Sequence, residues 1–246
     1  MATPKHLRKA PIKEALIDVR IEPITAVPAD TFRALTTVLA DGYPVAKDLG
    51  AAHATIQIQG GTRVITEVEQ LGIQGVRLDS ADGKTVVQFR ADGFTLNRLK
   101  PYQDWRTLWE EAKRLWPVYV AHLHPATVTR LALRYINELQ LPLEPEEDFD
   151  LYLTAPPNVP TNLPQQLSEF AIRVHLHGPS NLHALVTQRF KSVERPVKVL
   201  LDIDAYRVGQ FSVDADTIEP VFAQLHDFKN SIFFSYITER TVRLYE

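Results

Sequence analysis

The chain contains no cysteine. Disulfides, thiol nucleophiles, iron–sulfur clusters and cysteine-bound zinc are therefore excluded together. The same absence fits a reducing compartment, so a cytoplasmic protein is expected. Long apolar runs are missing too. Stretches such as residues 117–121 fall far short of the roughly 20 residues a helix needs to cross a bilayer, so no membrane partner is expected. The opening MATPKHLRKAPIKEALIDV is basic but has no apolar core behind it, which argues against a secretory signal. Glycine is sparse, at 10 residues, and no GxGxxG or GxxxxGK[ST] loop occurs. ATP or dinucleotide binding by those loops is set aside. A GxSxG nucleophile elbow is lacking, as is HExxH. No cofactor is expected.

What is present describes a globular protein. Apolar residues make up 45% and charged residues 23% of the 246, enough for a packed core. The net charge of −3 argues against a general nucleic-acid binder. The charge is uneven, however: residues 1–125 hold 16 Lys/Arg against 14 Asp/Glu, and residues 126–246 hold 11 against 16. Any polyanion-binding surface belongs to the first part.

Residues 11–23 alternate as a strand, and a short helix follows, capped by Asp30 and ended by Gly42. Several strands come next, including a hairpin through Asp92-Gly93. A long amphipathic helix opens at Asp104, with Pro117 expected to kink or end its first segment. The order then repeats. Residues 131–141 form a strand, a short helical piece covers 146–153, and a proline-rich connector leads to strands near 170–176, 183–190 and 197–206. A second long helix closes the chain, with Asp216 and Glu219 at capping-box spacing. This order predicts an α+β fold of two similar halves, 1–125 and 126–246, or one fused domain. Each half would be an antiparallel sheet packed on a long helix, a helix-grip-like pseudo-duplication.

PIKEALIDVRIEP, FTLNRLKPYQDW, LALRYIN, LLDID and LHDFKNSIFFSYIT occur in this order between about Pro11 and Thr238. The set resembles a prokaryotic family of about 250 residues that is sporadically distributed among bacteria and archaea. That resemblance implies a full-length protein but transfers no activity and no catalytic residue. Patchy distribution implies a link to mobile-element or defence loci.

The strand TRLALRYINELQLP carries the first candidates. Leu131, Leu133, Tyr135, Leu139 and Leu141 share one face, and Asn137 falls in that apolar register. Arg130, Ala132, Arg134, Ile136 and Glu138 take the other. Asp202 and Asp204 interrupt a later apolar strand, and burying an unpaired carboxylate costs several kcal/mol. Arg134, Asn137, Asp202 and Asp204 are thus read as a polar anchor at the seam between halves, with Arg134 expected to meet Asp202 or Asp204. His175 and His177, two apart on a strand, join Asp202 and Asp204 as a candidate metal set, with His183 in the turn that follows. Two solvent-facing histidines on a wet strand explain the same pattern without metal. His122 and His124 suit a helix C-terminus, and His226 reads as packed beside the apolar stripe of the last helix. Gln57, Gln59, Arg77, Gln88, Arg90, Asn97 and Arg98 make up a candidate nucleic-acid face, although an ordinary wet sheet displays the same residues.

A non-enzymatic module binding a protein or nucleic-acid partner is the leading expectation. A small-ligand protein with a pocket between sheet and long helix is the second, and a metal-assisted hydrolase using His175, His177, Asp202 and Asp204 the third. Self-association is left open.

Overall fold

The computed structural model describes residues 2–25, 27–59, 62–144, 147–190 and 195–246, the side chains of residues 51–71 excepted. Strand β1 (Ile12–Ile21) leads to helix α1 (Ala29–Val38) and then to β2 (Val45–Gln59), β3 (Thr62–Asp79), β4 (Thr85–Arg90) and β5 (Gly93–Leu99). Helix α2 (Trp105–Leu123) connects these to β6 (Val128–Leu141), β7 (Phe170–His177), β8 (His183–Phe190) and β9 (Val197–Phe211). Helices α3 (Ala215–Tyr236) and α4 (Glu239–Arg243) complete the chain.

The nine strands of the described residues form one antiparallel sheet, in the order β2-β3-β4-β5-β1-β6-β9-β8-β7. This corrects the expectation of two sheets, each gripped by its own helix. The joint is β1 against β6, paired antiparallel along the length of β1, from Ile12 opposite Asn137 to Ile21 opposite Val128. Two separate sheets would each leave an edge of unpaired N–H and C=O groups at this place, and pairing β1 with β6 satisfies both. Strand alternation reports the two faces of a strand but not its neighbour.

Helices α1, α2 and α3 cover one face of the sheet. Ala15, Ile17, Val19, Phe94, Leu96, Leu131, Leu133 and Tyr135 on that face are all buried. Trp109, Trp116 and Tyr119 of α2 meet Phe94 and Phe222 there, so the tryptophans are core residues at helical spacing. Each such ring contributes roughly 1.5–3 kcal/mol by leaving water. The opposite face carries no helix among the described residues. Gly93 lets the sheet close up beside β1, because a Cβ there would strike the Val19 carbonyl.

Local signals succeed and fail for visible reasons. The Asp104 carboxylate caps α2, accepting from the Thr107 N–H at 2.7 Å, and the helix ends with His124 in the left-handed region at φ 49. Helix α2 nevertheless runs on through Pro117. No side-chain cap forms at α3: its N-cap is Asp214, Asp216 lies in the first turn, and Glu219 accepts from the Trp109 indole at 3.1 Å. Asp30 lies in the first turn of α1 and pairs with Arg33 rather than capping. The helical piece expected over 146–153 is a single 3-10 turn, Phe149–Leu151.

Candidate functional site

Strand β6 presents two different chemistries, one on each face. On the open face the charged groups of β6 are paired with opposite charges. Arg134 donates to both Asp202 oxygens, at 2.8 and 2.6 Å. Asp204 is instead taken by Arg130, at 2.8 Å. Neither pair is directly opposite in register: Arg134 lies opposite Asp204 and reaches diagonally to Asp202, whereas Arg130 lies opposite Val208 and reaches four residues along β9 to Asp204. Asp18 is the hub, accepting from Arg20 at 3.1 Å, Arg130 at 3.2 Å and the Thr95 hydroxyl at 2.7 Å, with Arg90 at 3.5 Å. Burial outweighs the arginine beside Asp204 and raises its carboxyl above the ordinary value. The hydrogen bonds that Arg134 donates to Asp202 raise the arginine pKa further.

The residues expected to face nucleic acid divide. Arg77, Gln88, Arg90 and Asn97 do share the open face, by register of β3, β4 and β5. Arg77 is bonded to Asp79 at 2.7 Å, Arg90 to Asp92 at 2.9 Å and to Gln88 at 3.0 Å, and Asn97 to Glu14 at 2.5 Å. Arg98, one residue on from Asn97, necessarily points to the helix side and donates to Thr85 at 2.8 Å. The side chains of Gln57 and Gln59 lie outside the described residues. Phosphate-binding arginines need spare donors and charge, and here internal aspartates hold most of both.

The proposed metal residues also divide. His175 and His177 come together with His183 rather than with Asp202 and Asp204, which are committed to Arg134 and Arg130.

On the helix side, Asn137 is buried and donates to the Leu201 carbonyl at 3.0 Å, tying β6 to β9 across the sheet. Next to it opens a cleft of about 590 Å³ between the N-terminal segment, β6, the start of α2 and the middle of α3. Tyr102, Trp105, Tyr135, Asn137, His226 and Lys229 line it. The two tyrosine hydroxyls meet at 2.7 Å. Burial raises both phenols, so each keeps its proton. His226, expected to be packed and hydrogen-bonded beside the apolar stripe, stacks on Trp105 with ring centroids 4.9 Å apart. Its pKa is lowered, first by burial and then by the nearby Lys229 charge.

Lys229 is the residue that sequence reasoning missed. Its ammonium sits 3.7 Å from the centre of the Tyr135 ring and donates to Asn230 at 2.6 Å. Among the described residues no carboxylate pairs with it, although it is only 6% exposed. Burial alone pushes its pKa down to about 7. The signal was present in α3: Leu225, Lys229, Ile232 and Tyr236 recur at helical spacing, so a lysine occupies a core position of the apolar stripe.

Cations dominate the rim. Lys5 and Arg106 line the cleft with Lys229, against the single carboxylate of Asp104, while Lys5 is itself paired with Glu246. The chain matches no protein-family model and no curated protein.

Proposed function

We propose that the chain is a binding protein for a small organic anion with an apolar or aromatic body, held in the cleft around Lys229. One observation carries this reading: a buried lysine with no counter-ion among the described residues, at the wall of a cleft large enough for a ligand. Retaining an unpaired buried cation costs stability, and a bound carboxylate would offset that cost while raising the lysine pKa. Trp105, Tyr102 and Tyr135 supply flat apolar walls, and Asn137, Asn230 and the tyrosine hydroxyls supply polar groups that orient a ligand. A macromolecular partner on the open face has less support, because its arginines are already paired internally.

The test uses benzoate and hexanoate as probes, titrated by calorimetry and by Trp fluorescence. Saturable binding is expected at pH 6, weakening as pH rises through about 7 and the lysine loses its charge. Lys229→Met should abolish it. Failure of both probes to bind, or equal binding by Lys229→Met, would overturn the reading.

A further inference from the structure

We propose that His175, His177 and His183 form a binding site for a divalent transition metal of the zinc class, on the open face of the sheet. The site is separate from the Lys229 cleft, which lies on the opposite face. Residues two apart on a strand project to the same side, so His175 and His177 of β7 face outward together. The β7–β8 hairpin then sets His183 directly opposite His177. Ser180 and Asn181, at φ 55 and 57, make the tight turn that permits this register.

One ring nitrogen from each histidine lies within 4.8 Å of the other two. The Nδ1 atoms of His177 and His183 are already 3.0 Å apart. Two imidazole nitrogens bound to a tetrahedral zinc at about 2.0–2.1 Å lie roughly 3.3 Å apart, so this pair is close to the spacing a metal requires. The His175 ring is held by the Tyr206 hydroxyl, 2.9 Å from its Nε2. Tyr206 lies opposite His183 on β9 and stacks against both His175 and His183. Tyr206 is therefore a positioning residue for the cluster. Arg130 sits over its ring at 4.6 Å, but that charge is met by Asp18 and Asp204 and does not repel an approaching cation unopposed.

An all-imidazole set selects zinc, copper, nickel or cobalt over magnesium and calcium, which prefer oxygen. Three protein nitrogens leave the fourth tetrahedral position to water or a small anion. The sequence places His183 just beyond His175-x-His177, and the hairpin register sets it directly opposite His177.

The experiment uses untagged, full-length protein stripped of metal by a chelator. Titration with Zn²⁺ by calorimetry should show one saturable site per chain, not displaced by excess Mg²⁺. Co²⁺ should give the visible absorption bands of a four-coordinate ion. His177→Ala and His183→Ala should each weaken Zn²⁺ binding about 100-fold or more, and Tyr206→Phe about 10-fold, within the range of outer-shell changes. Circular dichroism of the metal-free variants checks that they fold. Should one fail, Co²⁺ broadening of the histidine ring signals in the unaltered protein reads the same site. Absence of saturable Zn²⁺ binding overturns the proposal. So does Zn²⁺ binding that survives in the triple alanine variant, or Co²⁺ broadening confined to other histidines.

Discussion

The two faces of β6 handle charge in opposite ways. Outside, Arg130 and Arg134 each hold an aspartate, and Asp18 gathers three arginines. Inside, Lys229 lies over Tyr135 with no counter-ion among the described residues. Charge near water is cheap to keep and cheap to pair, so the outer lattice needs no function to explain it. A lone buried ammonium is expensive, and that cost is what singles out Lys229 for the proposed site. The comparison teaches that density of charge is a poor guide to a site. Its unpaired member is the better one.

The largest expected effect breaks the inner side. Lys229 has a pKa of about 7 in the folded chain against 10.5 ordinarily. Below pH 7 both folded and unfolded states are protonated, and the folded state bears the full cost of burying the charge. Between pH 7 and 10.5 the unfolded chain binds more protons, so stability rises with pH and the cost fades. Lys229→Met should therefore stabilise the protein by about 4 kcal/mol at pH 6, and by progressively less toward pH 10, in chemical denaturation. A gain that does not depend on pH would contradict the buried charge.

The next effect breaks the outer side. Asp18→Ala leaves Arg20, Arg90 and Arg130 facing one another and should cost about 2–3 kcal/mol, since the Asp18 side chain is only 15% exposed. High salt should recover part of that loss. A smaller change sharpens the inner side again. Gln188 is buried on the helix face, and neither its amide nitrogen nor its oxygen has a hydrogen-bond partner among the described residues. Gln188→Leu should stabilise by about 1–2 kcal/mol, read as a rise in Tm. The smallest effect belongs to Arg134→Ala, at under about 1 kcal/mol, because its side chain is 44% exposed despite its two bonds to Asp202. A large loss there would mean that the outer lattice does more than neutralise itself.

Much of the fold was legible along the chain. Period-two alternation marks β1, β6 and β9, Asp104 marks the start of α2, and the apolar stripe marks α3. Cap assignments failed at α1, where Asp30 falls inside the first turn and pairs with Arg33 of the same helix, and at α3, where the tertiary partner Trp109 bonds Glu219. The candidate site was legible only in fragments. Arg134, Asn137 and the two aspartates stand out as polar groups in apolar strands, yet which carboxylate meets which arginine depends on a diagonal between neighbouring strands. A pocket between sheet and long helix was expected, but its lining was not legible, because Tyr102, Tyr135 and Lys229 are brought together by the packing of α3 on β6.

The sequence by itself determined which residues alternate, where chains of apolar side chains must be buried, and which chemistries are excluded by missing residue types. These are local matters, fixed by side-chain direction and by the cost of exposing or burying each group. Tertiary structure alone decided that nine strands make one sheet, that His183 sits directly opposite His177, and that no carboxylate among the described residues meets Lys229. Each depends on contacts between residues distant in the chain, where strand register and helix packing choose the neighbours. Alternation along one strand carries no information about the strand beside it.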